Sequence, residues 1–185
     1  ALWSALKQLG KQATCLLIKK DSIEQGLLFL PGVACMVPVD EYEGEPCVFI
    51  ACDVPNDERL GGAARIKKEC ALTITIDHHL ARESMSDITY SDPSVAATTL
   101  IIWELVKLLA VEDRKDIATC AYTGLVTDTG CFQFQNTDAY AFALASEMIA
   151  EGVTAPLVAQ QAFQTRSIAS LMLEQIVLSR LMIGA

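Results

Sequence analysis

At 185 residues the chain has room for one domain, or one and a half, and its 52% apolar and 20% charged content supports a substantial core and excludes global disorder. A net charge of −9 excludes a grip on long nucleic acid along its phosphates, which needs clustered Lys and Arg. A short anionic substrate remains compatible, because bound metal ions invert the local charge.

In chain order, Leu2, Leu6 and Leu9 stand at helical spacing with Ala5 on the same face, and Gly10 is a stop. Ala13 to Ile18 reads as a short buried strand, Lys19 to Gln25 as turn or loop, and Leu27 to Leu30 as an apolar run ending at the turn Pro31-Gly32. Glu41 to Pro46 is an acidic loop. Cys47 to Cys52 is a continuous apolar run, the mark of a strand covered on both faces, and it ends at Asp53. A helix is expected over Arg59 to Cys70, weakened at its start by Gly61-Gly62, and the next strand over Leu72 to Ile76, ending at Asp77. This is a βαβ unit of ordinary length, so the two strands are parallel and lie side by side or one apart.

A short strand over Ile88 to Tyr90 precedes Asp92-Pro93. Helices follow over Val95 to Leu109, with Leu105, Leu108 and Leu109 on one side and Trp103 and Val106 near them, and over Ile117 to Val126, running into Thr127-Asp128-Thr129-Gly130. Asn136-Thr137-Asp138 offers an N-cap for a helix over Ala139 to Ala150, closed by Gly152. Thr154 caps another, with Pro156 in its first turn, and a last helix runs from about Ser167 to Met182. The alternation predicts an α/β fold: an open, mostly parallel sheet with helices on both faces.

The seven cysteines (15, 35, 47, 52, 70, 120 and 131) form no Cys-x-x-Cys pair. Their odd number and scatter argue against a disulfide framework and for a reducing cytoplasm. No apolar stretch reaches transmembrane length, and no signal peptide is visible.

The only two histidines stand side by side in Ile74-Thr75-Ile76-Asp77-His78-His79, behind an aspartate at a strand end. Open α/β sheets place ligand sites at the carboxyl ends of their strands. A carboxylate with imidazoles suits a divalent metal such as manganese, zinc or iron. Asp53 reads equally as a ligand or as a turn or N-cap aspartate. Asp128 reads as a ligand or as part of a helix C-terminal turn, where an acid is electrostatically unfavourable. Asp57, Asp87 and Asp92 read as solvated or turn residues, and Thr98 and Thr99 as facing helix neighbours or solvent. Several carboxylates with histidine at strand ends suit a two-metal site that activates water against phosphorus.

These residues resemble the DHH phosphoesterase superfamily, in particular its branch of small enzymes that degrade nanoRNA and dephosphorylate 3′-phosphoadenosine 5′-phosphate. Three motifs carry the resemblance. They are Phe49-Ile50-Ala51-Cys52-Asp53 with Arg59-Leu60-Gly61 after it, Ile76-Asp77-His78-His79 with Ile88 to Pro93, and Tyr122 to Phe132 around Asp128. At the family's small polar run this chain reads Ala96-Ala97-Thr98-Thr99.

The resemblance implies a manganese-dependent hydrolase with two ions, for which magnesium, cobalt or iron are substitutes. It implies Asp53 as the carboxylate bridging the ions, and His78 and Asp128 as ligands of one ion. It implies Asp77 as a positioning partner and His79 facing the phosphate, both catalytic, and Asn136 lining the substrate cleft. Short oligonucleotides or nucleoside 3′,5′-bisphosphate are the implied substrates. A cyclic-di-AMP phosphodiesterase, a pyrophosphatase or exopolyphosphatase, and a catalytically dead nucleotide- or metal-binding module are the alternatives.

No long duplex partner and no membrane segment are expected, and a homodimer is compatible. The family's first motif, a strand with His-x-x-x-Asp-x-Asp, and its second domain with Gly-Gly-Gly-His have no counterpart here. The expected organisation is a truncated catalytic domain over residues 1–165, with 166–185 beginning a linker helix, and poor activity for the chain alone.

Overall fold

The computed structural model describes residues 1–19, 23–80 and 84–181. The chain runs α1 (Leu2–Gln8), β1 (Leu16–Leu17), β2 (Val37–Pro38), β3 (Val48–Cys52), α2 (Ala63–Glu69), β4 (Leu72–Asp77), β5 (Ile88–Ser91), α3 (Thr98–Leu108), α4 (Lys115–Asp128), α5 (Ala139–Ala150), α6 (Ala155–Ala159) and α7 (Ile168–Ser179), with single 3₁₀ turns between several of them. Every strand pair is parallel. The strands form two sheets, β1–β2 and β3–β4–β5, where one was expected. Only Leu16 and Leu17 of the run Ala13 to Ile18 pair, and they pair with β2, which the sequence did not announce.

The middle of the three-stranded sheet is covered on both sides by alternating side chains, while Val48 of β3 and Ile88 and Tyr90 of β5 stay exposed. Phe49 and Ala51 of β3 point to one face, where Ala63 and Ile66 of α2 join Leu60 and Val39. Ile50, Ile74 and Ile76 point to the other, against the larger core built by α1, α3, α4 and α5. The helices turn their apolar stripes inward at helical spacing, as in Ala141, Leu144, Ala145 and Met148 of α5. Its N-terminus is capped as expected, Asp138 accepting from the Ala141 N–H at 2.8 Å. Trp103 of α3 and Lys107 both donate to Glu147 Oε2, at 3.1 and 2.8 Å, tying α3 to α5.

Two expectations for the helices change. The buried face of α3 is Thr98, Leu100, Ile102, Trp103 and Val106, while Leu108 is 83% exposed. At ~100° per residue Leu108 lies about 200° around the helix from Val106, on the outer side. The last helix, α7, starts one residue later than expected behind Ser167, which accepts from the Ser170 N–H at 3.1 Å. None of its residues is buried. Its expected final residue, Met182, lies outside the described residues, as do Lys20, Asp21 and Ser22 of the expected loop. Among the described residues no single helix is long and apolar enough to cross a membrane.

Helices α3 and α4 approach closely at Gly124, where an added Cβ would meet Thr99 Cγ2 at 2.3 Å and Thr99 Oγ1 at 3.1 Å. An exposed helical Gly→Ala change gains about 1 kcal/mol from propensity. Here overpacking is the larger effect, and Gly124→Ala is expected to cost about 1–3 kcal/mol. Thermal unfolding reads the sign directly: a lowered Tm reports the close approach, and a raised Tm would mean the two helices part at no cost.

Candidate metal centre

Strands β3 and β4 pair with Cys52 opposite Ile76, so the residues that follow, Asp53 and Asp77, emerge as neighbours at the carboxyl edge. The backbone of Asp53 turns into the left-handed region (φ 61°), a conformation that aspartate tolerates better than most residues. Its N–H still donates to the Ile76 carbonyl at 3.0 Å, so the sheet ladder holds while the side chain is swung out at its end.

Asp77 is 2% exposed. Its Oδ1 accepts the backbone N–H of His78 at 2.7 Å, the N–H of His79 at 3.0 Å and the ring Nδ1–H of His79 at 2.7 Å. The carboxylate accepts only, so the His79 proton sits on Nδ1 and leaves Nε2 free. A buried carboxylate needs such donors to offset its lost hydration.

The ring of His78 is oriented differently. Its Nδ1 contacts the Val95 carbonyl at 3.3 Å, and a carbonyl can only accept. The lone pair of the neutral ring is therefore on Nε2, which lies 3.6 Å from Asp53 Oδ1 and 3.8 Å from Asp128 Oδ2. A main-chain carbonyl thus orients the His78 ring, while Asp77 holds the ring of the other histidine. The two rings meet edge-on with centroids 4.4 Å apart.

Thr98, in the first turn of α3, is 3% exposed and does not face solvent or a helix neighbour as expected. Its hydroxyl donates to Asp53 Oδ1 at 2.8 Å and accepts the His78 N–H at 3.1 Å. Asp77 Oδ1 stands further off, at 3.5 Å. One side chain thus links both strand ends. Its one sequence signal was its place in Ala96-Ala97-Thr98-Thr99, where the family has small polar residues. Thr99 does face a helix neighbour, packing on Gly124.

Asp128 is the last residue of α4. Burial, and next the charge of Asp53, push its carboxyl above the usual carboxylate range, with His78 and His79 opposing. Because the folded chain holds this proton to higher pH than the unfolded chain, ionising Asp128 weakens the fold as pH rises through that raised value. An acid at a helix C-terminus adds a penalty of ~0.3–1 kcal/mol. In chelator at neutral pH, Asp128→Asn is therefore expected to raise Tm by roughly 1–4 °C. The gain should vanish once the pH falls below the ordinary carboxylate range. A Tm unchanged or lowered at neutral pH would show that Asp128 carries no such strain.

Asn136, expected to line a cleft, spends both amide hydrogens on structure, donating to the Ala96 carbonyl at 3.0 Å and the Asp128 carbonyl at 3.1 Å. Asp57 pairs with the buried Lys67 at 2.5 Å. Asp87 accepts from the Thr73 N–H and hydroxyl, each at 2.8 Å. Asp92 accepts from the Ser94 N–H at 2.9 Å, closing a turn. Asp92 is thus a turn residue, one of the two expected readings, whereas Asp57 and Asp87 tie to Lys67 and Thr73. The candidate atoms of Asp53, Asp77, His78 and His79 all lie within 4.8 Å of one another, and Asp128 approaches through His78 Nε2.

Residues 1–125 match the family described as "DHH family, N-terminal domain". Among curated relatives, the "Bifunctional oligoribonuclease and PAP phosphatase NrnA" of Thermus thermophilus is 31% identical over 82% of this chain and 44% of its own length. Its namesake from Bacillus subtilis is 27% identical over 74% of this chain and 45% of its own length. A solved exopolyphosphatase-related protein from Bacteroides fragilis superposes over 99% of this chain and 56% of its own, with a TM-score of 0.86 at 24% identity, and shares the fold. The chain spans about half the length of these relatives. With its strand-end aspartates, its Asp77-His78-His79 triplet and a family match over residues 1–125, the chain belongs to the DHH family.

Proposed function

We propose that the chain is the metal-binding catalytic part of a phosphoesterase that hydrolyses phosphate esters of short oligonucleotides or nucleoside 3′,5′-bisphosphate. The observation that carries this reading is the convergence of His78 Nε2 with Asp53 Oδ1 and Asp128 Oδ2, at 3.6 and 3.8 Å. Ligand atoms bound to one ion at ~2.1 Å, with angles of about 90–120°, lie ~3.0–3.6 Å apart. Each carboxylate oxygen stands within a few tenths of an ångström of that separation from His78 Nε2, and Asp53, His78 and Asp128 would hold the ion. Asp53 would also be the residue to share a further ion. Oxygen and imidazole ligands suit manganese, which we take as the native metal. A bound ion supplies Lewis-acid polarisation of a phosphoryl oxygen and acidifies a water.

The remaining work falls to the chain's own side chains. His79 is held at Nδ1 by Asp77, which also stabilises the ring when a second proton is added at Nε2; in that doubly protonated form Nε2–H donates to a phosphate oxygen or passes its proton to the leaving nucleotide oxygen. Thr98 and Asp77 fix Asp53 and the two histidines in place. Two carboxylates beside the site repel a phosphate, so substrate binding should depend strictly on the metal. The names of the relatives, oligoribonuclease and PAP phosphatase, support the substrate class. We read 166–185 as the start of a linker helix, of which 182–185 lie outside the described residues; the absence of buried residues in α7 supports this.

The test is hydrolysis of a dinucleotide and of 3′-phosphoadenosine 5′-phosphate with and without manganese. It is run on this chain and on a version extended at its N-terminus, with calorimetry for metal binding. Metal-dependent release of mononucleotide or phosphate by either form supports the reading. No turnover and no bound metal in both forms would favour a non-catalytic module.

A further inference from the structure

Beyond Asp128 the backbone takes three consecutive left-handed residues, Gly130 (φ 54°), Cys131 (φ 59°) and Phe132 (φ 63°). For the two that are not glycine this is a conformation that L residues rarely adopt. The reversal is held by main-chain bonds, Cys131 N–H to the Val126 carbonyl at 2.8 Å and Gln133 and Phe134 N–H to the Thr129 carbonyl at 2.9 and 3.0 Å. It lays the ring of Phe134 back on Gly130. An added Cβ at Gly130 would lie 2.4, 2.5 and 2.7 Å from three ring atoms, so the seat requires a residue without a side chain.

The residue is nevertheless 59% exposed. A lone exposed phenylalanine is ordinary on a protein surface. This one differs in being fixed by a strained turn that begins two residues past Asp128. Asn136 further ties its segment to the carbonyls of Asp128 and Ala96, next to the Val95 that orients His78. The neighbouring Phe132 already stacks on Phe142, centroids 4.9 Å apart and planes 20° apart, whereas among the described residues no ring stacks on Phe134.

We propose that the exposed part of Phe134 is the platform on which a base of the nucleotide substrate stacks while its phosphate lies at the Asp53, His78 and Asp128 cluster. This rests on the phosphoesterase reading above and deepens it. Every base has an apolar π-face, so such a platform is indifferent to sequence, and it favours a nucleotide over a phosphate ester that lacks a base.

The experiment compares Phe134→Leu and Phe134→Tyr in the protein carrying this chain, with manganese present. The readout is the ratio of kcat/KM for a dinucleotide to kcat/KM for ribose 3,5-bisphosphate, which has no base. Stacking on an aromatic side chain is worth roughly a tenfold effect per base, so the ratio should fall about tenfold in F134L, through KM, and stay within about twofold in F134Y. Both rates falling together, neither changing, or F134Y losing as much as F134L would overturn the platform while leaving the phosphoesterase reading in place. A wild-type protein that hydrolyses neither substrate overturns both.

Discussion

His78→Ala is expected to remove metal binding and to lower metal-dependent hydrolysis by about 10³-fold, the upper end of the loss seen when one principal electrostatic stabiliser of a reaction is deleted. The reason is geometric. Nε2 is the group that approaches both Asp53 and Asp128, at 3.6 and 3.8 Å. Without it, the two carboxylates have no neutral ligand between them, and any ion must be held by oxygen alone. The backbone N–H of residue 78, which bonds to Asp77 and Thr98, survives the change, so the fold should persist. Calorimetric titration with manganese and a single-turnover assay on a dinucleotide check both halves. A variant that still binds manganese with native affinity would show that the ion sits elsewhere.

Asp77→Asn should separate catalysis from metal binding. Asp77 Oδ1 collects three N–H groups, two from the backbone and one from His79, and no lone pair of that oxygen remains for an ion. An asparagine oxygen can keep the two backbone bonds. It no longer favours the His79 tautomer with its proton on Nδ1, and it cannot stabilise a ring that gains a proton. Loss of an orienting carboxylate behind a histidine lowers turnover by about 10²–10⁴-fold in well-studied sites. We expect kcat to fall on that scale while manganese affinity stays within about tenfold of the parent. If metal affinity collapses as far as in H78A, Asp77 is a ligand and not a positioning group. Its place within the 4.8 Å cluster makes that the sharpest competing assignment.

Much of the architecture was legible because its causes are local. The apolar runs ending in Asp53 and Asp77 could be buried only as strands with both faces covered, and the 20-odd residues between them fit a single crossover. The cap at Asp138, the stop at Gly152 and the left-handed Gly130 likewise follow from single residues. The triplet Asp77-His78-His79 was legible as a candidate site because two histidines behind a strand-end aspartate are chemically conspicuous. Of the residues grouped on α3, Trp103 and Val106 are buried and Leu105 and Leu109 pack against the core, whereas Leu108 turns outward, because only the docking of neighbouring helices decides which leucines of an apolar helix face inward.

By itself, then, the amino-acid order determined that parallel strands deliver Asp53, Asp77, His78 and His79 to one edge, since strand period and crossover handedness act over a few residues. What only the tertiary structure decided is which of these groups meet. Thr98 reaches Asp53 across 45 positions of sequence, the Val95 carbonyl takes the His78 ring, and Asp77 is left to His79. Those pairings depend on how α3 and α4 dock on the sheet, and docking is set by packing between distant residues that no local pattern encodes.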